Sequence, residues 1–220
     1  MNLSKAKSFV GEISPSIKMK NQSISAENLS EKIDVLHMLN VVSALQKKLN
    51  SQKAQTKTDF EGVLKEFHLI NCKFMVEDQV IDFVAKTQIK TLNPFVGQVF
   101  SLLEKLPVQI KYDEVNKIAH MGLQILINIT CISANTSIYL GSKPNFLKSI
   151  LRLFEIVPND AAWLMSHVFL DGPVNLSQLI QSRIFSKFAD SLNQGLVIRQ
   201  AYDTAKIILN HFTGDYETAE

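Results

Sequence analysis

The chain has 220 residues, 46% of them hydrophobic and 20% charged, with a formal net charge of +2. That charge is too small to imply nucleic-acid binding, and 8 Gly and 6 Pro are too few for a strand-and-turn protein. Two cysteines, Cys72 and Cys131, exclude a disulfide framework. With no secretory segment at the N-terminus, the expectation is a soluble intracellular protein, cytoplasmic or nuclear, with no membrane insertion.

Residues 1–24 carry Lys5, Lys7, Lys18 and Lys20 against the single acid Glu12 and show no sustained periodicity, which predicts a flexible basic tail. A basic arm for an acidic partner is the functional alternative. A mitochondrial presequence fits less well, because no Arg precedes Arg152. Residues 25–57 read as an amphipathic helix and a polar linker. Leu29, Ile33, Leu36, Leu39, Val42, Leu45 and Leu49 fall at steps of three and four, with Ser25 as N-cap.

Residues 58–213 form a run of helices. Thr58-Asp59-Phe60-Glu61 has capping-box spacing and opens a helix with Phe60, Val63, Leu64, Phe67 and Ile70 on one face. A second helix is predicted over Asp78–Lys90. Leu92-Asn93-Pro94 should then break the chain before a helix built on Phe95, Val96, Val99, Phe100, Leu102 and Leu103. A long helix follows from Asp113 to about Cys131, then a short one near Thr136–Leu140. Gly141-Ser-Lys-Pro144 repeats the break, and Phe146, Leu147, Ile150, Leu151, Leu153 and Phe154 repeat the medium helix. Asn159 and Asp160 cap a long helix over Ala161–Leu170. Leu176–Gln181 is short, Phe185, Phe188 and Leu192 mark the medium member, and Ile198–Phe212 is the last long helix. Residues 214–220 are a short acidic tail.

The pattern of short, medium and long helix recurs. Each long helix ends in a polar residue, Asn71, Asn128, His167 and Asn210, at intervals of 57, 39 and 43 residues. Three-helix units near 40 residues predict an all-α fold, an α-solenoid of about three to four armadillo-like repeats. Four residues before each polar position stand Phe67, Gln124, Trp163 and Lys206. Side chains at i and i+4 share a helix face, so stacked units would align these pairs as a ladder.

On these residues the chain resembles armadillo-repeat proteins, and among them the importin-alpha family. In that family the third helix of each repeat carries a Trp and, four residues on, an Asn, which grip an extended basic peptide in a concave groove. The resemblance implies a protein- or peptide-binding ladder at Gln124, Asn128, Trp163, His167, Lys206 and Asn210. Trp163 matches the family's Trp, with His167 in place of Asn; Asn128 and Asn210 match the Asn, with Gln124 and Lys206 in place of Trp. Lys206 would repel a basic peptide. For Trp163 a core aromatic is the competing reading, for His167 a neutral helix-end residue, and for the two Asn side chains ordinary helix-end hydrogen bonding.

No phosphate loop, dinucleotide fingerprint or nucleophile elbow occurs, and the five histidines lack HExxH spacing. Asp34 with His37 and His167 with Asp171 are ordinary helical pairs, and the two thiols read as buried and inert. The expectation is therefore a non-catalytic scaffold or adaptor without metal or cofactor, a subunit of a larger complex whose partners are proteins rather than nucleic acid.

Overall fold

A computed structural model describes residues 34–51, 56–75, 77–107, 109, 112–172, 176–193 and 199–213. The predicted basic tail, Ser25 cap, the middle of the polar linker and the acidic tail lie outside the described residues. The described chain is all-α, with eleven helices: α1 Val35–Asn50, α2 Lys57–Phe74, α3 Glu77–Lys86, α4 Ile89–Leu103, α5 Asp113–Ile132, α6 Ala134–Gly141, α7 Phe146–Phe154, α8 Pro158–Asp171, α9 Leu176–Gln181, α10 Ile184–Asn193 and α11 Arg199–Thr213. All eleven belong to one contact unit.

Local chemistry explains the starts of α1, α2 and α8. Asp34 caps α1, its carboxylate accepting from the Leu36 and His37 amides. The stripe of α1 that packs against the core is Met38, Val42, Leu45 and Leu49, while the predicted Leu36 is 68% exposed. At about 100° per residue Leu36 lies opposite Met38, so both cannot face the core. For α2 the reciprocal cap sits two residues earlier than predicted: Asp59 Oδ2 accepts from the Thr56 amide at 2.9 Å and the Thr56 hydroxyl at 2.8 Å. These bonds hold the Asp59 carboxyl below its usual range.

The predicted break at Pro94 is wrong. The chain turns at Thr87 and Gln88, and Pro94 lies inside α4. It gives up one backbone hydrogen bond, but Leu92, Phe95 and Val96 on either side of it are fully buried, so the apolar stripe carries the helix across it. All six apolar residues predicted for residues 95–103 are buried. Pro158 opens α8 as its first-turn residue, which moves Asn159 and Asp160 from the cap into the helix.

Packing follows a repeating order. The long helices contact one another in series, α2 with α5, α5 with α8, and α8 with α11. Helices α2 and α5 run parallel, because both of their ends are tied. Lys57 at the start of α2 pairs with Glu114 at the start of α5 at 3.8 Å, and the Asn128 side-chain amide donates to the Phe74 carbonyl at 2.7 Å near their C-terminal ends. Thr204 of α11 donates to the Ala162 carbonyl of α8 at 2.8 Å. The medium helices are linked as well. Gln46 of α1 donates to the Gln98 carbonyl of α4, and Arg152 of α7 donates to the Leu103 and Glu104 carbonyls at the end of α4.

Helix α5 runs through the middle of this order, and twelve of its residues are buried. Among the described residues it is the helix long and apolar enough to cross a membrane by length and composition, and 61% of its most apolar window is buried within the protein. Gly122 lets α4 approach it, since a Cβ there would stand 2.6 Å from Leu103 Cδ2 and 3.1 Å from Leu103 Cγ. Leu103 is itself fully buried and has little room to yield. Gly122→Ala should therefore destabilise the fold by about 1–3 kcal/mol despite its better helix propensity, read as a lower urea midpoint.

Candidate protein-binding face

Each long helix leaves a stripe that the core does not cover. On α5 it runs through His120, Gln124 and Asn128, on α8 through Asn159, Trp163 and His167, and on α11 through Lys206 and Asn210. The steps of four keep each stripe on one face of its helix. All six residues of the predicted ladder thus lie on open or half-open stripes, with Lys206 exposed and the other five half-buried.

The geometry differs from the predicted pairing on α2. Phe67 is fully buried and Asn71 is 8% exposed, so neither can serve a surface ladder. The half-open stripe of α2 instead passes through His68 and Cys72, whose Nε2 and Sγ lie 3.7 Å apart. A shift of one residue rotates a side chain by about 100°, enough to turn a surface pair into a core pair. The thiols also depart from the buried reading. Cys72 is half-buried and Cys131 exposed, although desolvation raises both thiols above their ordinary range and keeps them protonated at neutral pH.

Trp163 packs one side against the core and meets His167 edge-on, with ring centroids 6.3 Å apart. Desolvation lowers the His167 pKa to about 4, so its ring is neutral at pH 7 and does not repel a cation. Gln124 is committed within the protein: its amide donates to Asp160 Oδ1 at 2.6 Å. Asn128 is likewise committed, through its bond to the Phe74 carbonyl.

Two residues absent from the predicted ladder complete the junction of α5 and α8. His120 Nδ1 lies 2.6 Å from Asp160 Oδ2, and Asp160 is only 8% exposed. The nearly buried carboxylate thus receives His120 and Gln124 from successive turns of α5, and it stands one turn before Trp163 on α8. The bond to Asp160 raises the His120 pKa, against an opposing desolvation effect. His120 was detectable in the sequence as the next step of four before Gln124 and Asn128. The role of Asp160 was hidden because an acid in a first turn reads simply as a helix-end residue. The structure joins Trp163 to His167 and Gln124 to Asp160, and places Lys206 and Asn210 one turn apart on α11.

The two histidines impose opposite pH dependences. His167 stays neutral in the fold while the unfolded chain takes up a proton below pH 6.5, so its effect lowers stability as pH falls from 6.5 towards 4. The contribution of His120 is complete below its ordinary value of 6.5 and is lost as pH rises through its raised folded value. Denaturant midpoints should therefore peak near neutral pH. His167→Gln should flatten the acid limb above pH 4.5, and an unchanged limb would rule out this origin.

Among the described residues no three His, Cys, Asp or Glu side chains gather to hold a metal ion. Comparison with known proteins finds no match among protein-family models, curated proteins or solved structures.

Proposed function

We propose that the chain is a non-catalytic armadillo-type scaffold or adaptor, an α-solenoid whose long-helix face binds another protein within a larger intracellular complex. The observation that carries this reading is the serial contact of α2, α5, α8 and α11, with α2 and α5 parallel. Three helices per step return the chain to the same direction and bring successive long helices side by side, which is how a solenoid builds its core from neighbours. On this reading α3–α5, α6–α8 and α9–α11 are three complete units, and α1–α2 are the medium and long members of a first, shortened one. The stripes of the long helices then form one continuous surface, with Trp163 as its aromatic anchor.

Trp163 is the only indole and reports directly on that surface. In the native complex its emission should resist iodide, and after the partner is stripped away iodide should quench it. Equal quenching in both states would overturn the assignment of the stripe.

A narrower reading is an importin-alpha-like adaptor that holds an extended basic peptide. The half-exposed Trp163 favours it, since an indole face can take a Lys stem by apolar contact and cation–π attraction. The commitment of Gln124 and Asn128 to internal bonds and the exposed charge of Lys206 weigh against it. Titration with a fluorescent Lys-rich peptide separates the two. Saturable binding lost in Trp163→Ala supports the narrower reading, and no binding leaves the general scaffold.

A further inference from the structure

The C-terminal ends of α2, α5 and α8 form an edge distinct from the Trp163 stripe. Asn128 ties the ends of α2 and α5 together through the Phe74 carbonyl, at 2.7 Å. Gly172, which follows α8, lies in packing range of α6: a Cβ on it would stand 3.5 Å from Ile138 Cα. Partial desolvation holds the Asp171 carboxyl above its usual range, an effect that Ser137 of α6 partly offsets. Three large apolar side chains stand open along this edge: Ile132 is 39% exposed, Ile138 41% and Leu170 70%. Met75, 47% exposed, extends the row at the end of α2.

The charge of the edge is negative. Glu77 and Asp171 are both exposed. After desolvation of the sulfur, their two charges are what raises the Cys131 thiol, which places both acids around the end of α5. The last turns of α5 and α8 contain no basic residue, so the partial negative charge of their helix ends adds to the acids, and Lys73 on the last turn of α2 is the one opposing cation of these three helix ends.

Those charges decide what can cover the apolar row. A symmetric contact between two copies would set one acidic edge against another. An anionic membrane would be repelled in the same way. A helix with apolar residues on one face and Lys or Arg beside them satisfies both the row and its rim. We propose that this edge, with Ile132, Ile138 and Leu170 as its apolar floor and Glu77 and Asp171 at its rim, docks a cationic amphipathic helix of a partner protein. The assignment does not depend on the Trp163 stripe, and Trp163→Ala separates the two surfaces.

The test uses the full chain and a fluorescent helical peptide of about 18 residues with Leu on one face and Lys on the other. A Leu/Glu counterpart is the control, and binding is followed by anisotropy. The Lys peptide should bind saturably, more weakly in high salt, and the Glu peptide should not. The Leu170→Ser, Ile138→Ser double variant should lose about tenfold or more in affinity. Glu77→Gln with Asp171→Asn should weaken binding and remove most of its salt dependence, while Trp163→Ala should leave it unchanged. All of these side chains are exposed or half-buried, and far-UV circular dichroism confirms that each variant is folded. The proposal is overturned by absence of saturable binding, by equal binding of the Glu peptide, or by unchanged affinity in the Leu170/Ile138 variant. It is equally overturned if that variant instead abolishes self-association of the chain or its binding to anionic vesicles.

Discussion

Phe95→Ala should be the most damaging single truncation, costing about 3–5 kcal/mol. Phe95 is fully buried in a cluster of three rings drawn from three helices. It stacks on Phe74 of α2 at 5.7 Å and meets Phe83 of α3 edge-on at 6.2 Å, and Phe74 and Phe83 meet edge-on at 5.4 Å. Truncation removes two aromatic contacts and leaves a cavity that α4, anchored on both sides of Pro94, cannot close. Against a typical total of about 5–15 kcal/mol, the loss should leave a visibly unfolded fraction at room temperature. Urea denaturation followed by circular dichroism gives the value. A cost below about 1 kcal/mol would mean that the cluster does not close the α2–α3–α4 corner.

Asp160→Ala should come second, at about 2–3 kcal/mol. The change deprives both His120 and Gln124 of their acceptor and removes an acid from the first turn of α8. The penalty is held below that of a fully buried pair because the His120 side chain is 40% exposed and can turn to water. A double-mutant cycle with His120→Ala should return a coupling of about 1 kcal/mol below pH 6.5, fading as His120 deprotonates above its raised pKa. A coupling that grows with pH would contradict the assignment of the charged form to His120.

Helices α5, α7 and the second half of α4 were legible to within a residue or two, because their apolar spacing agrees with clear turn signals. Pro94 was misread because a proline is a strong local signal, whereas the burial of Leu92 that carries the helix through it comes from tertiary packing. Leu36 and Met38 are both apolar on paper, and the packing of α1 against α4 decides which one faces inward. The ladder on α5, α8 and α11 was visible as a spacing of four, but its chemistry was not. Nothing in the local sequence says that Gln124 faces an acid 36 positions away or that Asn128 reaches a carbonyl 54 positions away. On α2 the interval of 57 residues lies outside the regular repeat, and the same pattern then settled on Phe67 and Asn71 instead of His68 and Cys72.

Affinity purification of the full chain from its own cells, beside Trp163→Ala, tests the scaffold account most directly. Native mass spectrometry of both eluates gives stoichiometry and partner mass. The account predicts that the wild-type chain emerges in a stable stoichiometric complex with another protein, and that Trp163→Ala, still folded by circular dichroism, loses or weakens it. A fully folded wild-type chain that emerges alone as a monomer would contradict the account, and so would a partner held equally well by the variant.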